Sequence, residues 1–136
     1  MKQIRRNVFE TNSSSTHSIS IVDTKGMYDT ILPDEDGNIV LEGGEFGWEI
    51  KEYSDPLTKA NYCAIDNEDN QDRLDMLIEV IKEHTNCKEV IIKSLEDSYI
   101  DHQSAGNSDE AFWNKESLRI FLFSPSSTLY TDNDNH

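Results

Sequence analysis

Four hydroxyl side chains and an imidazole stand in a row at Ser13, Ser14, Ser15, Thr16 and His17. Consecutive hydroxyls with free backbone N–H groups can cradle a phosphate or another anion. Arg5 and Arg6 could add positive charge. The same row also fits a polar loop whose serines bond their own backbone. It has no glycine-rich phosphate loop beside it. A second set, Asp101, His102, Asp132, Asp134 and His136, could join His17 to hold a divalent ion or to work as an acid–base pair. Its spacing matches no metal signature, so no metal, no cofactor and no catalytic residue is assigned.

The third set is acidic. Asp34, Glu35, Asp36, Glu42, Glu45, Glu49, Glu52 and Asp55 crowd one stretch, interleaved with Phe46, Trp48, Tyr53 and Tyr62. Asp34, Glu35, Asp36 and Gly37 resemble part of a calcium loop but lack its third acid and its flanking helices, and read as an acidic turn. An acidic excess is ordinarily a solvated face that keeps a protein in solution. Rows of carboxylates among a few aromatics can also imitate the phosphates of a duplex and occupy a basic groove. On that reading Asp34, Glu35, Asp36, Glu42, Glu45, Trp48, Glu49, Glu52 and Asp55 form the partner-binding surface. Ser13, Ser14, Ser15, Thr16, His17, Asp101, His102, Asp132 and Asp134 form an alternative ligand site.

Several elements must position these groups. Residues 18–22 alternate, with Ile19 and Ile21 on one face of a strand. Residues 30–32 and 38–41 flank Pro33 to Gly37 as the arms of a hairpin. Residues 48–53 alternate again. Asp55 and Pro56 start a helix expected to run to Cys63. Leu74, Leu77, Ile78 and Ile81 make the apolar stripe of the clearest helix, between residues 68 and 85, with Lys82 and His84 near its end and Asn86 to stop it. Residues 88–93 form a strand around Val90, Ile91 and Ile92. A helix from Ser108 buries Phe112, Leu118, Phe121 and Leu122 and ends at Ser124 and Pro125. Residues 128–131 make the last strand.

This order predicts an α/β or α+β fold: a single domain over residues 1–136, with a mixed sheet, about three helices and a C-terminal βαβ unit. In such a unit both strands end at one sheet edge, where open sheets bind ligands. The loops 94–107 and 132–136 would meet there. An antiparallel strand at 18–22 would bring the serine row to the same place.

The chain has 136 residues and a net charge of -15. Residues 1–26 hold four bases against two acids, residues 27–75 three against fourteen, and residues 76–136 five against eleven. The excess therefore sits in the middle. It argues against direct nucleic-acid binding and against docking on an anionic membrane. No apolar run approaches the ~20 residues of a membrane span, and the basic start is not followed by a signal-peptide core. Cys63 and Cys87 are expected as reduced thiols. Hydrophobic residues at 35% suffice for a modest core. No linker or repeat divides the chain.

The stretch Arg5-Arg6-Asn7-Val8-Phe9-Glu10-Thr11-Asn12-Ser13-Ser14-Ser15-Thr16-His17-Ser18 resembles the opening of small proteins encoded by phages and prophages of Gram-positive bacteria. Leu41-Glu42-Gly43-Gly44-Glu45-Phe46-Gly47-Trp48 and Asp132-Asn133-Asp134-Asn135 are similar to the same group. That family has no agreed activity, so no catalytic role carries over. The resemblance implies a phage protein in the bacterial host cytoplasm. By class it implies evasion of host defence. The expectation is a non-enzymatic, anti-CRISPR type of inhibitor, a nucleic-acid mimic that blocks a basic, nucleic-acid-handling protein. The alternative is a nucleotide- or phosphate-binding protein, a small enzyme or a sequestering sponge.

Overall fold

Asn70 opens the longest helix of the computed structural model, which describes residues 15–46, 51–93, 99–100 and 108–133. Its side chain accepts from the Arg73 N–H, replacing a bond that a helix start cannot make for itself. The helix, α2 (Gln71–Thr85), buries Leu74, Leu77, Val80 and Ile81 on one face. Asn86 ends it in the left-handed region at φ 61°, one of the conformations asparagine tolerates best. The helix begins after Asn70 rather than at Glu68 because residues 67–69 form a turn.

Ahead of it lies α1 (Pro56–Asp66), capped by Asp55, with Pro56 in the first turn. It runs past the expected end at Cys63. Ala64 and Ile65 continue the buried face, and no breaker intervenes. The third helix, α3 (Lys115–Phe123), starts later than Ser108. Asn114 takes the cap, its side chain accepting from the Ser117 N–H at 2.7 Å. Residues 108–113 before it form a turn and one turn of 3-10 helix.

Seven strands form three small sheets among the described residues. β1 (Ser15–Ser20) and β4 (Lys51–Tyr53) flank β7 (Thr128–Asn133), both antiparallel to it. β2 (Asn38–Leu41) lies parallel to β5 (Glu89–Ile92), and β3 (Glu45–Phe46) parallel to β6 (Tyr99–Ile100). The chain is an α+β domain with mixed sheets and three α-helices among the described residues. The helices and sheets share one core, in which Leu41, Tyr62, Cys63, Leu77, Leu118, Phe121 and Leu129 are fully buried.

Two expectations are corrected. The C-terminal βαβ unit does not form: β5 pairs with β2 while β7 pairs with β1 and β4. Alternation marks a segment as extended but does not choose its neighbour, and α3 packs on α1 and α2 instead of crossing one sheet. The hairpin also fails, because residues 30–32 are not a strand. The turn itself closes, with the Asp34 N–H bonding the Asn38 carbonyl at 2.8 Å. Upstream, the chain is drawn to the helices. The Asp29 N–H bonds the Phe123 carbonyl at 2.7 Å, the Asp29 carbonyl meets His84 Nε2 at 3.0 Å, and Ile31 enters the core. β2 therefore takes its partner from residues 89–92.

Candidate functional site

The acids between residues 34 and 75 divide by what they touch. Asp34 Oδ1 accepts from the Asp36 and Asn38 N–H groups at 2.9 and 3.0 Å and so braces its own turn. Asp55 Oδ2 accepts from the Thr58 N–H at 2.9 Å and caps α1. Glu35, Asp36, Glu42 and Glu52 are exposed and make no ion pair among the described residues. The acids that do pair all come later. Glu79 and Glu83 both meet Lys115, Glu89 meets Lys82, Asp109 meets Arg73 and Glu116 meets Arg119. Uncompensated negative charge is thus concentrated where the sequence places its excess.

Asp34 and Glu42 border a shared depression of about 270 Å³. Its other walls are Ile31, Leu32, Asn38, Ile39, Val40 and Leu57. Leu32 is 83% and Leu57 40% exposed, so the acidic rim surrounds apolar surface that a partner could cover. Asp55 stands two residues before Leu57 at the start of α1. Lys88 lies beside the turn at Gly37 and tempers the charge on that side. Glu45 is on β3, and only its backbone is described. Trp48 and Glu49 lie outside the described residues.

The alternative site assembles in part. The β1–β7 register sets Thr16 opposite Asp132, with Ser15 opposite Asn133 and His17 opposite Thr131. Ser13, Ser14, Asp101, His102 and Asp134 lie outside the described residues. No group of three or more His, Cys, Asp or Glu that could hold a metal ion occurs among the described residues.

Sequence reasoning missed two features. One is a second depression of about 440 Å³ at the α1–α2 turn, lined by Asp66, Asn67, Glu68, Asp69, Asn70, Arg73 and Asp109. Arg73 Nη1 bridges Asn67 Oδ1 and Asp109 at 3.0 and 2.7 Å, and the guanidinium sits over the Phe112 ring. Five consecutive polar residues, 66–70, were its visible sign. The other is Lys59, fully buried in α1. Its Nζ donates to the Ser124 and Ser127 carbonyls at 3.2 and 2.8 Å. Burial pulls its pKa down to about 8, against the attraction of Asp29 and Asp55. Burial also pushes the Cys63 thiol up, which suits an inert core cysteine. No helix among the described residues is long and apolar enough to cross a membrane. Comparison with protein-family models, with curated proteins and with solved structures finds no match to this chain.

Proposed function

We propose that this chain is a binding protein rather than an enzyme, and that its acidic surface inhibits a partner by filling a basic, nucleic-acid-handling groove. The observation that carries the reading is the segregation of charge. Glu35, Asp36, Glu42 and Glu52 are exposed and unpaired among the described residues, whereas the later acids Glu79, Glu83, Glu89, Asp109 and Glu116 meet lysine or arginine. A carboxylate without an internal counter-ion is free to meet one on a partner. The apolar floor between Asp34 and Glu42 supports a protein surface as that partner, because desolvated apolar contact holds what charge steers. The phage-like opening motif extends the proposal to its context: a phage protein acting in a bacterial host, with a CRISPR effector as the partner class.

The test is kinetic. A partner captured from bacterial lysate and identified is then bound in purified form at low and high salt. The association rate falls steeply as salt rises, because the steering field is screened. Glu35→Gln, Glu42→Gln and Glu52→Gln together lower it further, and the bound partner releases its nucleic acid. An association rate that ignores both salt and these substitutions rules the proposal out.

A second reading, nucleotide or phosphate binding at the serine row, draws its support from the antiparallel pairing that brings Ser15, Thr16 and His17 beside the end of β7. A ligand that binds only the folded state raises its melting temperature. Thermal shifts against a panel of nucleotides with and without divalent ions decide it, and a flat response removes it.

A further inference from the structure

The hairpin that fails to form leaves one edge of β2 without a strand partner among the described residues. Gly37 and Leu41 turn their carbonyls toward β5, where the Lys88 and Lys93 N–H groups bond them at 2.7 and 3.0 Å. Asn38 faces the other way, and both its backbone groups are taken by Asp34. Strand groups alternate in direction, so Val40 faces as Asn38 does. Its N–H and C=O lie on the edge away from β5 and make no hydrogen bond among the described residues. The Glu42 N–H continues the same row. The depression bordered by Asp34 and Glu42 runs along this edge, with Leu32 and Leu57 beside it. Asn38 also lines this depression, and its Oδ1 is buried and accepts no hydrogen bond among the described residues. On the outer face of the pair Val40 and Ile91 are partners in register, Val40 half-buried and Ile91 41% exposed. Parallel strands ordinarily occur in sheets covered on both faces, so a bare two-stranded parallel pair is an incomplete sheet.

We infer that the free edge of β2 receives an extended, lysine- or arginine-bearing segment of the partner, which adds as a third strand. The inference rests on the reading that the acidic surface binds a basic partner, and specifies how. Backbone bonds to Val40 and Glu42 supply the pairing, the basic side chains meet Asp34 and Glu42, and an apolar side chain covers Leu32 and Leu57. Charge selects this occupant over a second copy of the chain. A second copy would set Asp34, Glu35, Asp36 and Glu42 against their own like charges, on a molecule whose net charge is -15.

The probe is a short peptide alternating lysine and valine, with two further versions N-methylated on one or the other alternate set of amides. Hydrogen exchange of the full chain is followed amide by amide. The peptide slows exchange at Val40 and Glu42. One N-methylated version binds about tenfold more weakly, having lost its backbone bonds, while the other binds as the parent does. Val40→Pro removes the outward N–H at an edge position where proline is tolerated, and weakens the peptide similarly. Should that variant fail to fold, the methylated peptides on the unaltered protein decide alone. Equal binding by both methylated versions overturns strand addition. If that binding is still lost on Glu42→Gln with Glu35→Gln, the acidic-surface reading survives without it. Exchange that slows at Val40 with protein concentration alone assigns the edge to a second copy and overturns the inference. Absence of any peptide binding also overturns it, and leaves the proposed function to its own salt test on the captured partner.

Discussion

Lys59 Nζ lies 2.8 Å from the Ser127 carbonyl oxygen, joining α1 to the turn ahead of β7 across 68 residues of sequence. With the Ser124 carbonyl at 3.2 Å, the buried amine has two acceptors, and the Phe121 ring centroid lies 5.4 Å from it. A neutral amine, with two N–H groups, satisfies both carbonyls. The charged form has a third proton and a desolvation cost.

The first prediction follows from that cost. The folded-state pKa of Lys59 is about 8, below the unfolded 10.5. Below pH 8 both states hold the proton and the desolvation cost is fully present. Between pH 8 and 10.5 only the unfolded state holds it, so the Lys59 contribution to stability rises with pH. Urea denaturation of the natural chain and of Lys59→Met, compared between pH 7 and 9, reads the difference. The stability of the natural chain relative to Lys59→Met rises toward pH 9, and a fall contradicts the assignment.

Cys63 acts with the opposite sign. Its thiol ionises more readily in the unfolded chain than in the core, so its contribution is lost as pH rises above about 9. The same burial makes it unreactive. A thiol reagent modifies Cys87, which is half-buried, in the native protein, and reaches Cys63 only after denaturation. Labelling followed by mass spectrometry of the peptides checks the order, and early modification of Cys63 contradicts it.

The acids separate into two classes by experiment. Asp55→Ala removes the α1 cap and lowers stability by about 1 kcal/mol, within the range of about 0.5–2 kcal/mol for such caps. Asp34→Ala releases two backbone N–H groups of its turn and costs about as much. Glu42→Gln and Glu52→Gln, on exposed side chains with no described partner, leave stability within about 0.5 kcal/mol. Chemical denaturation of the four variants distinguishes the acids that hold the fold from those free to face a partner.

Asn86 provides a backbone test. Its φ of 61° is natural to glycine and strained for a β-branched residue. Asn86→Gly keeps or slightly raises the melting temperature. Asn86→Val lowers it by several degrees, for a cost on the order of 1–2 kcal/mol.

Local chemistry made much of this fold legible. The stripe of Leu74, Leu77 and Ile81, the cap at Asp55, the proline at its first turn and the stop at Asn86 act over one or two helical turns, so spacing alone reveals them. The acidic excess of residues 27–75 is likewise a property of composition, and the exposed Glu35, Asp36, Glu42 and Glu52 realise it on the surface. Thr16 stands opposite Asp132 because β1 runs antiparallel to β7, although β5, expected in the same sheet, pairs elsewhere.

Pairing partners were decided elsewhere. Whether Val40 meets residue 32 or Ile91 depends on where Ile31 is buried and on what the Asp29 backbone bonds, and those interactions reach across more than fifty residues. The same long reach hid Lys59, a cation whose sequence neighbours give no hint of two carbonyls waiting 65 and 68 residues away. Sequence by itself determined that three helices form, the start at Asp55, the stop at Asn86 and the charge, because each is set within a few residues. Only the tertiary structure decided which strand edge stays open and which acids stay unpaired, because both depend on competition among distant segments for one small core.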